Sequence, residues 1–271
     1  MIPPILCYHR VGGPLELGVT RVAASVFARQ MTTLARAGWR TPTLSEFASR
    51  LDTFPASRFP FPDKVFLLSF DDGYADLARH AYPVLERLGF TATTFLITDY
   101  VGRENTWDAR YTWRRLRHLD WESIEAWRAR GFAFASHTAT HRRLTWLGDG
   151  AVAEELGRSR ETVVARLGVD AGRAVAYPFG ASDARVRRLA APAGYDLGFA
   201  GPVGCGERLG LARAPVYLWD TLDVPAGLRR DWRGALGAVA ARVAGRCAVG
   251  TSVVRAVSHQ LSAVSKLIAN G

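Results

Sequence analysis

Cysteine is scarce in this chain. Cys7, Cys205 and Cys247 are odd in number, far apart and form no Cys-x-x-Cys pair. A zinc ribbon or a disulfide framework is therefore not the basis of the fold. No apolar run approaches the roughly 18 residues of a membrane span. The start, "MIPPILCYHRV", lacks the charged beginning and long apolar stretch of a secretory signal. On the sequence as given, these absences predict a cytoplasmic protein without a membrane span; an exported or membrane-associated form stays open. Runs of basic residues are missing too, although the net charge is +10. Arginine far outnumbers lysine and is spread along the whole length, as on solvated faces. No nucleic-acid partner is expected, and nothing in the chain specifies an oligomeric state.

Apolar residues are plentiful by contrast. They fill 48% of 271 positions, enough for a sizeable core. Short apolar runs alternate with amphipathic stretches. "PILCYH", "KVFLLSF", "TATTFLI", "FAFAS", "AVAY", "DLGFA" and "LARAPVYL" read as strands, continuous enough to be covered on both faces. Between them, helical spacing runs after Ser25, over Leu77–Leu88 up to Gly89, after Asp120 and from near Gly150 to Gly168, with another start at Asp183. Strand–helix alternation implies an α/β fold with a parallel sheet and helices packed outside it. About seven strands over this length suit a distorted (β/α) barrel. Residues 1–220 would form that barrel. Residues 221–271, with "GALGAVAARVAGRCAVG", have a helical period interrupted by glycines and would form a helical extension or tail.

In such barrels the working residues collect at the C-terminal ends of the strands. His9 ends the first run, Asp71 and Asp72 follow "LLSF", His137 follows "FAFAS", and Tyr177 ends "AVAY" with Pro178 directly after it. All lie at the same end.

Each cluster taken alone has a plain reading. In "SFDDGY" an Asp-Asp-Gly turn is more often a helix cap with a solvated neighbour than a catalytic pair. In "SHTATH" an isolated His-x-x-x-His is more often two surface histidines than a metal site. On a helical turn, though, that spacing points both imidazoles the same way. Two imidazoles and one carboxylate would make a three-ligand site with positions left for water and substrate, the form of a catalytic metal centre. "AYPFG" reads as a tight turn whose Phe179 N–H could face the pocket as an oxyanion donor.

In this order and at these separations, "FLLSFDDGY", "SHTATH" and "AYPFG" resemble the NodB-homology polysaccharide deacetylases, carbohydrate esterase family 4. "YHRV" and "ATTFLI" add to the likeness, which covers roughly residues 5–216. The resemblance implies a distorted barrel of NodB type that removes N- or O-acetyl groups from sugars of a polysaccharide or glycoconjugate with a divalent metal. It makes Asp72, His137 and His141 the metal ligands, Asp71 the general base and Phe179 the backbone oxyanion donor. That donor set suits Zn2+ best and admits Co2+, Ni2+ or Mn2+. A metal-dependent amidase on a non-sugar C–N bond, or a degenerate glycan-binding relative, is the alternative.

The chain departs from the family in two places. Many members carry an arginine two residues before the proline of the third motif, where it orients the base. Here that position is Ala176, and Arg213 in "LARAPV" is a candidate for the role, as an alternative to a surface arginine. The family's late acid histidine has no convincing counterpart, because His259 in "AVSHQL" lacks an apolar lead-in. His9 is the candidate general acid, against a structural histidine at the barrel mouth. Tyr177, Trp107 and Trp146 are candidate sugar contacts, since aromatic faces stack on sugar rings; most of the tryptophans read as packing residues.

Overall fold

The computed structural model describes residues 2–14, 19–53, 63–106, 116–229, 231–237, 239–240 and 243. The strands are β1 (Ile5–Tyr8), β2 (Arg10–Val11), β3 (Arg21–Val22), β4 (Leu67–Phe70), β5 (Thr93–Leu96), β6 (Ala133–Ser136), β7 (Ala174–Ala176), β8 (Leu197–Phe199) and β9 (Ala214–Pro215). The helices are α1 (Ala24–Arg36), α2 (Leu44–Thr53), α3 (Asp76–His80), α4 (Tyr82–Arg87), α5 (Trp121–Arg128), α6 (Asp149–Leu167) and α7 (Ala184–Ala190).

Seven strands make one all-parallel sheet in the order β8-β7-β6-β5-β4-β1-β9. Each lies in one of the apolar runs expected to be a strand. The sheet curls, and the segment Leu211–Val216 draws its edges together. On one side Leu211 N–H donates to Gly198 and Ala200 N–H to Leu211; on the other, Val216 N–H donates to Cys7. The result is a distorted (β/α) barrel. Gly198 permits the closure, because a Cβ there would stand 2.5 Å from both the Leu209 carbonyl oxygen and the Tyr177 hydroxyl.

Side chains alternate across each strand, and the core divides accordingly. Ile5, Leu67, Phe95, Ala135, Ala174, Ala176, Leu197 and Phe199 face inward and pack with Leu44, Phe47 and Leu51 of α2. The intervening residues Leu6, Tyr8, Leu68, Phe70 and Phe134 face outward, against Phe27 and Met31 of α1, Leu77 of α3, Tyr82 of α4 and Trp127 of α5. Extending the inward set past the strand ends reaches His9, Asp71 and His137. The period-two pattern therefore aims these three side chains into the barrel mouth.

Helix signals follow local chemistry. Asp120 and Asp183 cap α5 and α7 by accepting from the Ser123 and Val186 N–H groups. α6 occupies Asp149–Leu167 and stops at Gly168, with φ 90°. The single helix expected over Leu77–Leu88 is instead two, broken at Ala81 (φ −104°, ψ −58°). Pro83 explains the break: it has no N–H to continue the ladder, and it is tolerated only in a first turn. The sequence reading did not anticipate α2 or the small parallel pair β2–β3.

Candidate active site

Asp72, His137 and His141 meet at the mouth. Their ligand-type atoms lie within 4.8 Å of one another, and all three residues are buried. Asp72 Oδ1 is 3.5 Å from both His137 Nε2 and His141 Nε2. Ligands about 2.0–2.2 Å from a tetrahedral ion stand roughly 3.3–3.6 Å apart. Asp72 Oδ1 is buried and accepts no hydrogen bond from the described residues. An orphaned carboxylate oxygen between two imidazole nitrogens fits a divalent cation. His137 Nδ1–H donates to the Ala176 carbonyl at 2.8 Å; this fixes the tautomer and leaves the Nε2 lone pair for the site. Burial works against a charge on His137, but Asp71 and Asp72 outweigh it and raise its pKa. The same field favours a cation.

The backbone that holds these groups is strained. Among the described residues, Lys64, Asp72, Thr138, His141 and Phe179 are the non-glycines in the left-handed region, with φ from 60° to 69°. Four of the five form or adjoin the site, as expected where function over-determines conformation. The two histidines do not sit on a helical turn, which corrects the sequence reading. They flank a loop in which Thr138 and His141 both have positive φ, so the turn is tighter and irregular. Glu155 of α6 pins that loop, accepting from the Thr140 N–H at 2.9 Å and from its hydroxyl. His118 steadies Asp72, donating from Nδ1 to its carbonyl at 2.8 Å while stacking on Tyr74.

Asp71, the residue before Asp72, is held by Arg213. Arg213 donates to it twice, Nη1 to Oδ1 and Nη2 to Oδ2, and anchors itself by Nε to the Ala200 carbonyl at 3.1 Å. Burial would raise the pKa of Asp71, yet the Arg213 guanidinium holds it well below the usual carboxylate range. Asp71 Oδ2 lies 3.9 Å from His137 Nε2, beside the Asp72–His137–His141 cluster. The Cys7 thiol points at the same oxygen from 3.4 Å, and burial pushes that thiol up, out of its reactive range.

His9 joins Cys7 and Asp71, with donor atoms within 4.8 Å. His9 Nδ1 is buried without a hydrogen-bond partner. Phe179 lies in the turn Pro178–Gly180 with φ 60° and ψ 13°. Gly180 and Ala181 N–H groups bond back to Tyr177 and Pro178, whereas no described group accepts from the Phe179 N–H. Its ring packs 4.8 Å from that of His141.

The candidate sugar contacts separate. Trp146 is 49% exposed on a 3-10 turn beside the site. Tyr177 is fully buried among outward-facing residues, and its hydroxyl donates to the Leu209 carbonyl at 2.9 Å. The alternation that turns Ala176 inward turns Tyr177 away from the mouth, so the structure does not bring its side chain to the site. Trp107 and His259 lie outside the described residues. Sequence reasoning missed Cys7, His118 and Glu155. Period two from His9 would have found Cys7; the other two carry no local signal.

The model of the polysaccharide deacetylase family matches residues 59–198, and the chain belongs to that family. A Bacillus subtilis (strain 168) protein, YxkH, named as a candidate polysaccharide deacetylase, is 28% identical over 207 residues, covering 76% of this chain and 66% of that protein. The chain thus spans just under two thirds of that relative's length. Among solved structures, the Streptococcus pyogenes deacetylase PplD in complex with acetate superposes with a TM-score of 0.69, at 22% identity over 80% of this chain and 93% of that one. IcaB from Ammonifex degensii superposes with a TM-score of 0.61, at 28% identity over 73% of this chain and 82% of that one. Both likenesses place the barrel among NodB-type folds. Among the described residues, no helix is long and apolar enough to cross a membrane.

Proposed function

We propose that this protein is a metal-dependent hydrolase that removes acetyl groups from N-acetylated sugars of a polysaccharide or glycoconjugate. One observation carries the reading: a carboxylate kept ionised by a bidentate arginine lies directly beside a buried Asp-His-His cradle. Asp72, His137 and His141 would hold the cation, and this donor set suits zinc. Such a cation, when bound, polarises an acetyl carbonyl and lowers the pKa of water.

The chain's own groups divide the remaining work. Asp71 takes the proton of the attacking water, and Arg213 keeps it ionised and aimed. The Phe179 N–H donates to the oxyanion that develops on the acetyl group. His9 protonates the departing amine, which would otherwise leave as a poor anion. Residues 1–220 form the catalytic barrel, and 221–271 are an extension whose described part follows β9. The substrate is an N-acetylated glycan.

Acetate release from N-acetylglucosamine oligomers, with and without chelator, tests the reading for wild type and Asp71→Asn. Activity that needs both the metal and Asp71 is expected. Equal activity in every case overturns the mechanism, and a His9→Ala variant with an unchanged rate removes His9 from the acid role.

A further inference from the structure

Arg143 lies two residues beyond His141 and has no part in the chemistry above. Its guanidinium carbon stands 5.2 Å from the centre of the Trp146 ring and 5.8 Å from that of Phe179. The Phe179 ring packs in turn against His141. The cation is thus one aromatic ring removed from a ligand of the proposed metal site.

The other arginines held in the fold are paired. Arg213 binds Asp71, Arg10 binds Asp76 and Arg173 binds Asp196. Among the described residues, Nε and Nη1 of Arg143 are buried and donate to no group; Nε of Arg10 and of Arg187 is likewise without a hydrogen bond, but each of those side chains has an acid partner, whereas no ion pair is formed by Arg143. Acids on the neighbouring helix are engaged elsewhere, Asp149 with Arg185 and Glu155 with Thr140. A guanidinium remains charged in such a setting. A permanent cation with unpaired, sheltered N–H groups is costly to keep. An arriving anion offsets that cost, and the guanidinium fork matches the oxygens of carboxylate or phosphate.

We propose that Arg143, with Trp146, forms a subsite selecting N-acetylated glycans that carry a carboxylate or phosphate on or beside the sugar being deacetylated. The half-exposed Trp146 offers an apolar face to the sugar ring. The charge excess of the chain is dispersed over its surface, so this selectivity comes from one side chain placed at the mouth. The inference rests on the deacetylase reading, and its test keeps the two apart.

Acetate release is measured on hyaluronan hexasaccharide, N-acetylglucosamine 6-phosphate and neutral chitohexaose, for wild type, Arg143→Met and Arg143→Lys, with thermal melts to confirm folding. Arg143→Met is expected to lower kcat/KM on an anionic substrate by about 10- to 100-fold, chiefly through KM, and to leave chitohexaose within about twofold. Arg143→Lys recovers part of the loss. Whether the carboxylate or the phosphate substrate responds identifies the anion. Equal loss on all three substrates, or none on either anionic one, overturns the proposal. If wild type deacetylates none of them, the deacetylase reading fails separately. Calorimetric binding of the two anionic sugars to wild type and Arg143→Met then decides the subsite, and equal or absent binding overturns it.

Discussion

Asp71 and Arg213 are 142 residues apart in sequence and meet through two parallel hydrogen bonds of 2.6 and 2.8 Å. Both side chains are almost wholly buried. The pair keeps Asp71, the proposed base, ionised, and it can be dissected. In Arg213→Met, burial acts on Asp71 without its main opposing field, so its pKa rises. Asp71 accepts a proton only when ionised, so activity falls as pH drops through that pKa. The acidic limb of kcat/KM should therefore move to higher pH than in wild type. Denaturant unfolding should show a loss of about 3–5 kcal/mol, the usual cost of orphaning one member of a buried pair. An unmoved acidic limb would separate Arg213 from the base.

Asp71→Asn should separate proton transfer from metal retention. The amide keeps the shape and cannot take a proton, so kcat should drop by about 10²- to 10⁴-fold. Zinc content, measured on the purified variant, should match wild type because Asp72, His137 and His141 are untouched. Concurrent loss of zinc would make Asp71 a ligand.

Zinc added to chelator-stripped protein should raise Tm, since a ligand bound only by the folded state adds about 2.7 kcal/mol at a hundred times its Kd. His137→Ala and Asp72→Ala should abolish most of that increment. Calorimetric scans with and without zinc read it directly, and an increment surviving in both variants would locate the cation elsewhere.

Asp120→Ala removes the cap of α5 and should cost about 1 kcal/mol near neutral pH. Ser123 holds the Asp120 pKa below its ordinary value. The contribution is therefore complete above the unfolded carboxylate pKa of about 4 and disappears as pH falls through the lower folded value. The Tm difference from wild type should shrink on acidification; a difference that grows would contradict the cap.

The seven sheet strands were legible because a strand covered on both faces must be apolar throughout. The Asp-His-His cluster was legible because its members sit at or just past strand ends within short motifs. Other features depend on contacts that no local pattern records. Arg213 acquires its role only when the barrel closes through Leu211–Val216. α2 has an apolar stripe like many surface helices, and only the inner core shows what it covers. Tyr177 was legible in principle, for alternation from Ala176 already turns it outward. The histidine loop defied helical spacing because two of its non-glycine residues are held at positive φ by surrounding hydrogen bonds, which a spacing rule cannot see.

Residues 59–198, the stretch matched by the family model, contain Asp71, Asp72, His137, His141 and Phe179. His9 and Arg213 come from outside it, His9 directly after β1 and Arg213 directly before β9, strands that are neighbours in the sheet. The barrel is thus divisible. One continuous stretch holds the Asp-His-His cluster and Phe179, while two adjoining strands from opposite ends of the described chain bring His9, the proposed proton donor, and Arg213, the partner of the proposed base. On those proposed roles, exchange of that strand pair alone would retune the pH response and leave the Asp-His-His cluster as it stands.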